Sequence, residues 1–169
     1  MNIRAAVESD AQGVARVHVE TWQAAYRGVV PDAYLDSLSI DKRERVWRES
    51  IRAGVPELWV AEIQSEIKGW VAFGASRDAD ATAAVGELEA IYVAPDCWRA
   101  GVGRALWSVA RRRLIERGFS SATLWVLAEN ARAIGFYAEA DFHPNPVSQK
   151  EVSLGGKALR EVRYETFFG

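Results

Sequence analysis

Apolar positions recur at spacings of three and four in some stretches of this chain and at spacings of two in others. The change from one period to the other lays out the elements. A short apolar stretch over residues 2–6 can pair as a first strand. Ser9 and Asp10, helix-starting residue types, precede Val14, Val17, His18, Thr21, Trp22 and Ala25, a helical stripe that Gly28 and Pro31 end. A second helix is predicted over 41–52, where Val46, Trp47 and Ile51 stand among charges before Gly54-Val55-Pro56 closes it. Residues 58–63 and 67–75 read as the two strands of a hairpin. A small-residue loop over 79–84 leads to a strong strand, 87–93, ending at Ala94-Pro95-Asp96. The helix that follows, about 101–117, carries Val102, Leu106, Val109, Ala110 and Leu114 on one face and closes at Gly118. A strand over 122–127, a helix over 130–140 and two antiparallel strands within 142–168, broken at Gly155-Gly156, complete the pattern. No linker or repeat interrupts it. The prediction is one α/β domain over 1–169, with a mixed, mostly antiparallel twisted sheet flanked by helices.

Composition narrows the class without naming a function. Of 169 residues, 49% are apolar and 26% charged, which suits a globular core and excludes disorder. A net charge of −2 gives no broad nucleic-acid footprint. Cys97 is the only cysteine, so no intrachain disulfide can form and a reducing compartment is favoured. His18 and His143 are too far apart for zinc-ligand spacing. Met1-Asn2-Ile3-Arg4 opens no signal-peptide apolar region, and no apolar run approaches the roughly 18 residues of a membrane helix. The expectation is a cytoplasmic protein with no metal, nucleic-acid or membrane partner. Exposed aromatics among the seven tryptophans leave room for a homodimer.

The stretch with most chemical content is strand, turn, helix. Gly101 and Gly103 sit where the turn becomes a helix, with Arg99 and Arg104 on either side. Glycine lets a ligand approach the backbone, and a helix start offers unpaired N–H groups with partial positive charge. A pyrophosphate is the natural guest, although a plain tight turn also uses Gly-x-Gly. Neither full nucleotide motif is present: Leu106 occupies the third glycine place of Gly-x-Gly-x-x-Gly, and no Gly-Lys-Ser/Thr ending follows.

Trp98-Arg99-Ala100-Gly101-Val102-Gly103 resembles motif A of the GNAT superfamily of N-acetyltransferases: Arg or Gln, two residues, Gly, any residue, then Gly or Ala. Trp98 stands at the Arg/Gln place. Asn130-Ala-Arg-Ala-Ile-Gly-Phe-Tyr137, followed by Ala140-Asp141-Phe142, resembles the family's later motif, with Asp141 where Gly is usual. Ile3-Arg4-Ala5-Ala6 with Asp10, and Trp22-x-x-x-Tyr26 through Pro31, look like the opening of many bacterial members. The similarity runs through nearly the whole chain in the expected order. It implies the GNAT acyl-CoA N-acyltransferase fold, acetyl-CoA as co-substrate and an amine-bearing acceptor. By resemblance, Trp98, Arg99, Ala100, Gly101, Val102, Gly103 and Arg104 would hold the pyrophosphate. Ile91, Tyr92 and Val93 would pair with the pantetheine like an added strand, and Asn130 would bond that arm besides capping its helix.

Amine attack on a thioester needs a base for the ammonium proton and an acid for the leaving thiolate. Alternation along 87–93 puts Glu87, Glu89, Ile91 and Val93 on one face. Two carboxylates about 6–7 Å apart would repel if both were buried, so this end either lines a wet cleft or is an ordinary solvated strand end. The resemblance makes Glu87 the first candidate base, with Glu89 in reserve. It makes Tyr137, otherwise a core tyrosine beside Phe136, the acid. His18, Trp22 and Tyr26, four residues apart, form a helical stripe of the kind that is usually core. The family places such helices against the acceptor, so Trp22 and Tyr26 are candidates to face it, with Glu89 favouring a cationic or amine-bearing group. The rival readings are a CoA-binding regulatory module without turnover and, ranked last, a nucleotide-binding protein.

Overall fold

A computed structural model describes residues 1–169. In chain order, strand β1 (Asn2–Ala5) leads through one 3-10 turn to helix α1 (Ala11–Ala25), then to the short α2 (Asp32–Asp36) and α3 (Ile40–Ala53). Strands β2 (Glu57–Ile63), β3 (Glu66–Ala75) and β4 (Val85–Val93) follow. Helix α4 (Val102–Glu116), β5 (Ser121–Leu127), α5 (Ala131–Glu139), β6 (His143–Leu154) and β7 (Lys157–Phe167) complete the chain. Helix α3 shows why the ends fall where they do. The Ser39 side chain accepts the Lys42 N–H at 3.2 Å to start it, and Gly54 at φ 68° stops it. Asp141, in the glycine place, adopts φ 65° as its residue type allows. Helix α2 was not foreseen: one turn of five residues is too short to carry a period.

All seven strands lie in one sheet, ordered β1-β2-β3-β4-β5-β7-β6, and every neighbouring pair is antiparallel except β4 with β5. Helices α4 and α5 cover one face, burying Leu106 and Leu114 against Phe73, Leu88 and Leu124. Helix α1 covers the other, burying Val14 and Val17 on Val60, Trp70 and Ala72, with α3 outside it. Each fully buried valine, leucine or phenylalanine among these contributes about 1.5–3 kcal/mol. None of the helices is long and apolar enough to cross a membrane.

The alternation expected along β4 breaks at its centre. Ala72 pairs with Ala90 and Phe73 with Leu88, so Glu89 is an extra residue, a β-bulge. Before it, Leu88 packs on the α4 side and a side chain on Gly86 would strike Leu114. Beyond it, Ile91 and Val93 lean on that same α4 core, while Ala90 and Tyr92 lean on the α1 core. Glu87 and Glu89 therefore do share a face, that of α1, but Ile91 and Val93 point to the opposite one. The bulge also bends β4 away from β5. Their parallel pairing stops after Val85 with Ser121, Gly86 with Ala122 and Glu87 with Thr123, and beyond Glu87 the sheet is split.

Candidate functional site

The split and the turn beyond it form one continuous lining. On its β3 side, β4 is fully laddered, and the Ala94 N–H continues that ladder to the Lys68 carbonyl at 2.8 Å. Antiparallel pairing alternates, so the main-chain groups of Tyr92 and Ala90 also turn toward β3, and those of Ile91 and Val93 turn into the split. Of the three residues expected to offer backbone there, Ile91 and Val93 do and Tyr92 does not. The Val93 carbonyl already accepts the Thr21 hydroxyl at 3.0 Å and the Trp98 indole N–H at 2.7 Å.

From Val93 the chain passes through a 3-10 turn, Pro95–Cys97, to two left-handed residues, Arg99 at φ 62° and Gly101 at φ 81°. The first α4 bond runs from Ala105 N to Gly101 O, so the N–H groups of Val102, Gly103 and Arg104 have no main-chain acceptor. Such a nest of N–H groups at a helix start binds anions. The two glycines have different jobs. A Cβ on Gly101 would meet nothing within 4 Å, and its requirement is the positive φ; a Cβ on Gly103 would press on the Phe136 ring at 3.2 Å. Gly103 is thus there for the close packing of α4 on α5, which sequence reasoning did not separate from ligand approach.

Helix α5 supplies the opposite wall. Asn130 caps it, its carbonyl oxygen accepting the Ala133 N–H at 3.2 Å, while its amide donates to the Tyr26 hydroxyl at 3.3 Å. Tyr137 is buried between Phe136 and Phe142, with ring centroids 5.4 and 5.8 Å away. Burial first, and the neighbouring Tyr26 second, push its phenol well above the ordinary range, so it stays protonated. Helix α1 brings Trp22, whose indole donates to the Tyr92 hydroxyl at 2.9 Å and whose ring meets Tyr26 edge-on. His18 is buried among Trp22, Trp47, Trp70 and Tyr92. Its Nδ1 accepts the Trp47 indole N–H at 3.1 Å, and burial, helped by Arg43, lowers its pKa to about 3. His18 is therefore neutral core.

The carboxylates are gripped by a residue the sequence gave no reason to choose. Arg77, in the loop between β3 and β4, gives Glu87 three hydrogen bonds, from its main-chain N at 2.9 Å, Nε at 3.0 Å and Nη2 at 2.6 Å. Its Nη1 lies 3.2 Å from Glu89. Burial alone would raise the Glu87 pKa, but these bonds outweigh it and hold the group below the usual carboxylate range. Glu89 goes the other way. Burial raises it, Arg77 only partly offsets this, and the Glu87 charge adds to the rise. The same loop is pinned by Asp78, which accepts the Trp125 indole N–H at 2.9 Å, and by Asp80 on Arg163. These contacts join residues 47 and 83 positions apart, and no local pattern could have announced them. No group of three or more His, Cys, Asp or Glu side chains is arranged to hold a metal ion.

The chain is similar to known proteins over most of its length. The model of the acetyltransferase (GNAT) family matches residues 15–142. An uncharacterized N-acetyltransferase of Bacillus subtilis, YuaI, is 32% identical over 163 residues, covering 96% of this chain and 90% of its own. Among solved structures, the PaiA N-acetyltransferase of Thermoplasma acidophilum, in complex with coenzyme A, superposes with a TM-score of 0.80 at 19% identity, covering 99% of this chain and 98% of that one. The yncA structure of Salmonella typhimurium, with its cofactor acetyl-CoA, gives 0.74 at 20% identity, covering 99% and 93%.

Proposed function

Because this chain belongs to the acetyltransferase (GNAT) family of acyltransferases, we propose that it moves an acetyl group from acetyl-CoA to a primary amine of a small molecule or peptide, by direct attack in a ternary complex. The observation that carries this reading is the split between β4 and β5, lined by the main-chain groups of Ile91 and the N–H of Val93, whose carbonyl Thr21 and Trp98 already hold, and ending at the unpaired N–H groups of α4. An extended arm with an amide at intervals can lie in such a split like a strand. Its diphosphate then meets the turn over 98–104, and Asn130 stands across from it.

In this reading the thioester carbon lies where the strands part. An N–H of Ile91 or Val93 polarises its carbonyl, as in an oxyanion hole. The amine nitrogen bonds to that carbon and loses a proton to Glu89. The carbon–sulfur bond breaks, and Tyr137 gives its proton to the departing sulfur. Glu89 replaces Glu87 as first choice because its pKa is raised and it holds only one ion pair, whereas both Glu87 oxygens are occupied by Arg77. Glu87 then keeps Arg77, and with it the loop, in place. Two carboxylates on the α1 side favour an amine-bearing acceptor, and Trp22 and Tyr26, bonded to Tyr92 and Asn130, are the α1 residues taken as its wall.

The test is a thermal-shift titration with acetyl-CoA, CoA, ATP and NAD, followed by acetyl-CoA consumption over a panel of amines. Saturation at 100 times Kd adds about 2.7 kcal/mol, or roughly 5–10 °C for a domain of this size. A shift with CoA and acetyl-CoA alone, then turnover, is expected. Binding without turnover on any amine would favour a regulatory acyl-CoA-binding module, and a shift with ATP or NAD alone would overturn the reading.

A further inference from the structure

Trp98 and Arg132 form a stack that neither the motif nor the family match accounts for. The Arg132 guanidinium carbon lies 3.5 Å from the centroid of the Trp98 ring. Trp98 is itself fixed, its indole N–H donating to the Val93 carbonyl at 2.7 Å. Arg132 belongs to the first turn of α5 and stands four residues before Phe136, the ring against which Gly103 of α4 packs. One stripe of α5 thus runs along the start of α4 and brings Arg132 beside the left-handed turn over 99–101.

Stacking uses the face of a guanidinium and leaves its edge free, so the five N–H donors remain in a planar fork suited to phosphate oxygens. In this molecule arginines are commonly held by carboxylates, as Arg4, Arg27, Arg52, Arg77, Arg113 and Arg163 are. Arg99, Arg104 and Arg132 pair with none, as do Arg43, Arg45, Arg111 and Arg160 elsewhere, but these three are exposed around a single turn whose N–H groups also lack main-chain acceptors. Unspent cations gathered on unspent N–H donors describe a site for a multiply charged anion.

We propose that Arg132, held flat by Trp98, is a phosphate ligand of the acyl-CoA site and makes from α5 the side-chain contact that Trp98, standing where the motif has Arg or Gln, cannot make itself. The assignment rests on the acyl-CoA reading given above. Trp98 is then a positioning residue: it sets the plane of the fork and does not touch the ligand through a charge.

Calorimetric titration of CoA and of dephospho-CoA, which lacks the 3′-phosphate, at several salt concentrations tests it in wild type, Arg132→Gln, Arg132→Lys and Trp98→Leu. Arg132→Gln should weaken CoA by about tenfold and flatten the salt dependence, with the melting temperature of the free protein unchanged. Arg132→Lys should recover the salt dependence but only part of the affinity, and Trp98→Leu should weaken CoA through Arg132, adding little to Arg132→Gln in the double variant. A loss confined to CoA assigns the fork to the 3′-phosphate, and an equal loss with dephospho-CoA assigns it to the diphosphate. Unchanged affinity and salt slope for both ligands in Arg132→Gln would overturn the proposal while wild-type binding still upheld the parent reading. A wild type that binds neither ligand would remove both.

Discussion

Glu87 and Glu89 are chemically identical and two positions apart, yet their environments push them in opposite directions. Three hydrogen bonds from Arg77 make Glu87 a fixed anion, while Glu89 pays for burial with a single ion pair. The difference predicts different failures. Glu89→Gln should lower kcat by about a hundredfold or more, as for loss of a general base, and should abolish the acidic limb of the kcat/KM profile. That limb should lie above the ordinary glutamate range, because activity requires ionised Glu89 and its pKa is raised. Glu87→Gln should instead free the Arg77 loop and cost about 1–2 kcal/mol of stability, discounted for an exposed arginine, with the acidic limb kept. A limb that survives Glu89→Gln and vanishes in Glu87→Gln would reverse the two roles.

At the scale of elements, function depends on where pairing is prevented. The bulge at Glu89 ends the β4–β5 ladder after three residue pairs, although β5 runs on to Leu127, and the cap at Asn130 starts α5 just beyond it. Gly103 sets how close α4 and α5 come. Gly103→Ala puts a methyl 3.2 Å from the Phe136 ring, so the ring or the helix must yield by a few tenths of an ångström; where it does not, overpacking of about 1–3 kcal/mol outweighs the ~1 kcal/mol that alanine gains over glycine in a helix. Because the displaced turn carries the free N–H groups, acetyl-CoA affinity should fall together with the melting temperature. Adding Phe136→Leu should recover part of both. An affinity that stays at the wild-type value while stability drops would separate the helix contact from the binding turn.

Across the whole molecule, the walls of the split come from distant parts of the chain: Thr21 holds Val93 and Tyr26 meets Asn130. His18 sits under this assembly and links its stability to pH. In the folded state its pKa is lowered from 6.5 to about 3. Above pH 6.5 both states are neutral and stability is flat. As pH falls below 6.5 the unfolded chain takes the proton first, so stability declines until the folded pKa is reached, by roughly 4–5 kcal/mol if the whole gap is expressed. Glu89, with its pKa raised, works in the opposite sense, so the comparison must be between wild type and His18→Gln. Denaturant unfolding from pH 7.5 to 4.5 should show a shallower decline in the variant, and parallel curves would mean that the fold does not lower the His18 pKa.

Periodicity alone placed most of the elements to within a residue or two, because helices and strands here bury regular stripes and the stops are local: Gly54, Gly118 and the Gly155-Gly156 turn act through their own backbone. The order of motifs named the family, and Gly101 was readable as a turn glycine, since a positive φ is a property of one residue. What alternation misjudged was β4, where one inserted residue in a strand is silent in sequence and visible only against its partner. The grip of Arg77 on both carboxylates, the meeting of Asn130 with Tyr26 and the seat of Arg132 on Trp98 are likewise decided in three dimensions. Residue type fixes which groups can ionise or donate. Their protonation and reach depend on charges and rings that folding brings from far along the chain.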